Sequence, residues 1–96
     1  MNHKDLIKFF KSMTEEEQKD FLFVLLDCMD FYDEEMKKTK GKKKEYLYRE
    51  YETYSMLTAF FVDPEWQTES GLSQVRFSRR NAHQMREDYE KEIIKA

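Results

Sequence analysis

Arg76, Arg79, Arg80, His83 and Arg86 stand within eleven consecutive residues. On a helix these side chains share roughly a third of the circumference, beside an apolar face. Guanidinium groups set this way are chemistry for holding anions, because each planar fork can take a carboxylate or phosphate through two parallel hydrogen bonds. Several arginines near a helix N-terminus also oppose the helix dipole, so a compensating anion is expected. Asp30, Asp33 or Glu34 of the same chain can supply it; otherwise it comes from an acidic partner protein, with nucleic-acid phosphate the lesser option. No zinc-finger spacing, RNP motif or helix-turn-helix accompanies the patch, so the nucleic-acid signal is weak.

Other reactive residues carry less. His83 has Glu87 four residues on, a surface pair rather than a metal site when no second histidine or Glu-x-x-His unit stands near. Asp27, Asp30, Asp33, Glu34 and Glu35 resemble a calcium cluster by number only, since they lie on a helix without the glycine loop that calcium sites need. Cys28 is the single cysteine and sits among apolar residues, which reads as a small buried hydrophobe. With two glycines in the chain there is no phosphate-cradling loop. No catalytic, cofactor-binding or metal-binding residue is assigned, and an enzyme is not expected.

A second signal is apolar. Phe21 to Leu26, with Phe31 and Tyr32, fill one stretch; Tyr46 to Val62 holds four tyrosines and two phenylalanines. At 100° per residue, Phe21, Leu22, Leu25, Cys28, Met29, Tyr32 and Met36 make one helix face. Val24, Leu26 and Phe31 widen it beyond half the circumference, which predicts a central helix touched from two or three sides. Phe23 stays outside even this widened face, among Asp27, Asp30 and Glu34. In the next helix Leu47, Tyr51, Tyr54, Thr58 and Phe61 form the core face. Met56 and Phe60 lie nearly opposite, with Tyr48 nearby. Either another helix of the chain covers them, or they belong to a dimer or partner interface.

The elements that position these groups are helical. Asn2 caps a helix from about His3 to Ser12. Thr14-Glu15-Glu16-Glu17 is a capping box, opening a helix that runs to about Lys40 with i,i+4 pairs Glu15–Lys19, Asp33–Lys37 and Glu34–Lys38. Gly41 ends it, and Lys37, Lys38, Lys40, Lys42, Lys43 and Lys44 surround that turn, as a solvated tip or a small phosphate-binding one. A third helix, about Lys43 to Val62, returns antiparallel. Asp63-Pro64 starts a short connecting helix that Gly71 stops. Ser73 caps the last helix, with Leu72 and Phe77 as a hydrophobic staple; alternatively Leu72–Phe77 is extended and Ser78 is the cap.

The expected fold is therefore all-α over a single domain, residues 1–96: an antiparallel hairpin of two long helices carrying a short N-terminal helix, a short connecting helix and a C-terminal helix. Few glycines and one proline argue against an all-β chain. Charged residues make up 39% of the sequence yet the net charge is only −3, which excludes a uniformly basic or acidic protein. The N-terminus lacks a signal peptide's pattern and no apolar run is long enough to span a membrane, so a soluble, cytoplasmic protein is expected. The expected function is protein binding, as a homodimer or as an adaptor or inhibitor. Small chains of this kind are common in phages and mobile elements, where they block a host enzyme or defence complex. A nucleic-acid-binding regulator using Arg76–Arg86 is the alternative. The candidate partner-binding residues are Phe23, Tyr48, Met56, Phe60, Arg76, Arg79, Arg80 and Arg86.

Overall fold

Residues 1–95 are described by the computed structural model. They form α1 (His3–Ser12), α2 (Glu15–Lys37), α3 (Lys42–Val62), a 3-10 turn at Pro64–Trp66 and α4 (Glu69–Lys95). The expected hairpin of long helices is α2–α3.

Local chemistry explains the boundaries. The Asn2 carboxamide oxygen accepts from the Asp5 N–H at 2.9 Å and starts α1. Thr14 Oγ1 accepts from the Glu17 N–H at 3.1 Å while the Glu17 carboxylate accepts from the Thr14 N–H at 2.9 Å, satisfying two donors that a helix start leaves open. That contact with Thr14 holds the Glu17 carboxyl below its ordinary range. α2 ends at Lys37 rather than about Lys40, because the Lys38 and Thr39 N–H groups turn back to Glu35 and Met36 and the Thr39 hydroxyl donates to the Glu35 carbonyl at 2.6 Å. Gly41, at φ 74° and ψ −146°, then swings the chain into α3, a backbone conformation that disfavours a side chain.

Beyond Asp63 the structure departs from expectation. Asp63 caps only the one turn Pro64–Trp66, and Gly71 does not stop a helix: it lies buried inside α4. The start of α4 is set by Thr68, whose hydroxyl accepts from the Gly71 N–H at 3.0 Å, so neither Ser73 nor Ser78 is a cap. A Cβ at Gly71 would fall inside the van der Waals contact of the Trp66 carbonyl oxygen. Glycine is present for close approach, not for termination.

The central helix is α3, not α2. It packs along α2 on one side and α4 on the other, while those two scarcely meet. α3 has apolar residues around most of its girth and can be buried on two sides, whereas α2 buries one stripe centred on Leu25. Tyr32 stacks on Tyr54 at 5.8 Å between α2 and α3. Across the α3–α4 seam the buried Thr53 and Ser78 hydroxyls meet at 2.8 Å. Thr53 spends its own proton on the Arg49 carbonyl, so Ser78 donates. Near the Gly41 end, Lys42 and Glu92 pair at 2.6 Å and Tyr46 lies 5.4 Å from Tyr89. α1 closes the opposite end, its Phe10 ring packed on Phe21 and Phe61.

Candidate functional site

The eight candidate residues do not form one patch. Phe60 leaves the list: its side chain is 0% exposed, in a cluster with Phe10, Leu25, Phe61, Leu72 and Val75. α4 covers the face of α3 that sequence left open, so Phe60 is core and not a docking surface. Met56 is half-buried against the same cluster and borders a shallow cleft with Arg49, Glu52 and Phe77. Tyr48 is exposed beside Lys44 and Arg49 in a neighbouring cleft. Phe23 lies on the outer side of α2, 61% exposed, away from the other candidates.

The arginines do come together. Arg76, Arg79, Arg80, His83 and Gln84 project from successive turns of α4 and, with Glu50 of α3, line an open groove of about 890 Å³. The expected compensation by α2 is absent. Among the described residues no carboxylate lies within 4.0 Å of Arg76, Arg79 or Arg80, while Asp33 and Glu34 are taken by Lys37 at 3.4 and 3.1 Å. Arg76 donates instead to the Met1 carbonyl. Arg86 is the exception, paired with Glu90 at 3.0 Å, which raises its pKa further. His83 Nε2 lies 3.1 Å from a Glu87 carboxylate oxygen, the surface pair that the spacing predicts.

Two tyrosines stacked between α2 and α3 feel the charges around this groove. Burial, then the Glu50 charge and Tyr54, push the Tyr32 hydroxyl up to about 12, and Arg86 partly opposes the rise. Tyr54 is raised by burial, then by Cys28 and Glu50, with Arg79 opposing. Glu50 therefore sits at the meeting point of the tyrosine stack and the arginines. Sequence reasoning missed Glu50 because its relation to α4 depends on how α4 docks. It missed the exposure of Phe77, 68%, because placing the helix start at Ser73 made that ring a staple rather than an outward residue.

Chemically the groove can hold an anion by charge and by guanidinium hydrogen bonds, and it offers no nucleophile–base pair. Among the described residues no helix is long and apolar enough to cross a membrane. Compared with known protein families, curated proteins and solved structures, the chain matches none.

Proposed function

We propose that this protein is a non-enzymatic binding module, an adaptor or inhibitor, whose α4 groove receives an acidic segment of another protein. One observation carries the reading: Arg76, Arg79 and Arg80 border an open groove and none has a carboxylate partner among the described residues. Like charges gathered on two turns of helix repel one another, and an incoming row of carboxylates relieves that repulsion while making charge-assisted hydrogen bonds. A nucleic acid is the weaker fit. The basic stretch is one short segment of α4, too small for the row of phosphate contacts on which duplex binding rests, and no zinc-finger spacing or RNP motif accompanies it.

The test pairs two fluorescent probes, a short glutamate-rich peptide and a DNA duplex, with the wild type and R79E/R80E. The peptide is expected to bind wild type and to be lost on charge reversal, while DNA binds weakly or not at all. Affinity capture from cell extract should lose the same partners in R79E/R80E. Unchanged capture by the reversed variant would show that the groove is not the docking site. Tight, steeply salt-dependent DNA binding would favour the nucleic-acid reading.

A further inference from the structure

We infer that the protein self-associates through α2, two copies packing antiparallel about a twofold axis. Lys19, Phe23, Leu26 and Asp30 follow one another at intervals of four, three and four residues, the spacing of a coiled-coil seam. All four are exposed, and they form a stripe turned away from the Leu25 side that α2 gives to α3. Leu26, read from sequence as core, is 42% exposed. Lys19, Leu22, Phe23 and Leu26 border an apolar dimple of about 250 Å³, open for a side chain from outside.

The stripe itself selects the occupant. It reads positive, aromatic, aliphatic, negative along α2. Turned end for end, it reads negative, aliphatic, aromatic, positive. A second copy related by a twofold axis between residues 24 and 25 therefore sets Lys19 against Asp30 of the other copy, and Phe23 against its Leu26, twice over. A uniformly acidic or basic partner would satisfy one end of the stripe and oppose the other. Both charged ends are available: among the described residues neither Lys19 nor Asp30 has an ion-pair partner, and the Glu15–Lys19 pair that the spacing predicts is not made. On one flank of the stripe this register sets Asp20 near Asp27 of the other copy, and beyond the stripe it brings Glu16 near Asp33, where Lys37, already on Asp33, screens the like charges. That limits the seam to about three turns and gives a small interface, so the dimer should depend on concentration.

Charge-swap sedimentation tests this directly. The mass of the wild type is expected to rise from monomer to dimer with concentration. F23E, K19D and D30K should each shift that transition to at least about tenfold higher concentration while circular dichroism stays helical. The double variant K19D/D30K restores opposite charges across the axis and should regain dimerisation. A wild type that remains monomeric at every accessible concentration overturns the proposal. So does a double variant no better than the two single ones.

Discussion

Truncating Phe60 to alanine removes a ring with no exposed surface, packed against Phe61 with centroids 5.3 Å apart. A deletion of that kind costs about 3–5 kcal/mol, against a total stability of about 5–15 kcal/mol for an ordinary domain. F60A is therefore expected to lose most of its margin in a urea melt, whereas F23A, measured where the chain is monomeric, should change by less than about 0.5 kcal/mol. Both rings are aromatic side chains among charged neighbours on a helical wheel, so the sequence alone makes both candidates for a partner surface. What separates them is whether a third helix arrives, and no local pattern encodes that. Tyr32 gives a second test at this scale. Burial, with Glu50 and Tyr54, raises it from 10.0 to about 12. The folded state then holds its proton more tightly than the unfolded chain does. The stabilisation is complete below pH 10 and is lost as pH rises through about 12. Ultraviolet titration should show a late tyrosinate step that disappears in Tyr32→Phe.

Caps and turns were the most legible features of the elements, because they depend on a few adjacent residues. Asn2, the Thr14–Glu17 box and the bounds of α1 stand as the sequence implies. Glycine was legible only as permission. Gly41 and Gly71 are the same residue type, yet one is needed for a positive φ and the other for the approach of a carbonyl, which a linear pattern cannot distinguish. The distinction is measurable. Gly71→Ala gains helix propensity but drives its Cβ into the Trp66 carbonyl, backbone that cannot rotate away. A net loss of about 2 kcal/mol in chemical denaturation is expected, with α4 displaced from the Pro64–Trp66 turn. A stabilised G71A would mean that the turn yields freely. The central position of α3 was misread for a related reason. α2 has the denser apolar run, but apolar residues spread around the girth of α3 are what permit burial on two sides.

At the scale of the molecule, α3 separates two surfaces that differ in chemistry. The groove of α4 presents unpaired arginines, and the outer stripe of α2 presents an apolar pair between opposite charges. With the inner helix fixed by the Thr53–Ser78 bond on one side and the Tyr32–Tyr54 stack on the other, the two surfaces share no side chain. Substitutions on them should act additively. R79E/R80E is expected to lose the acidic peptide yet sediment as wild type does. F23E is expected to bind that peptide with unchanged affinity while remaining monomeric. Against a surface displaying many copies of the peptide the two behave differently again. A dimer offers two grooves, so wild type should be retained roughly 10²-fold or more longer than F23E, provided the peptides lie close enough to be spanned. Raising salt should weaken the groove first, since its charges are exposed and its binding rests on them, whereas Phe23 and Leu26 supply the dimer with a part that salt does not screen. Loss of peptide binding in F23E would mean instead that the groove forms only in the dimer.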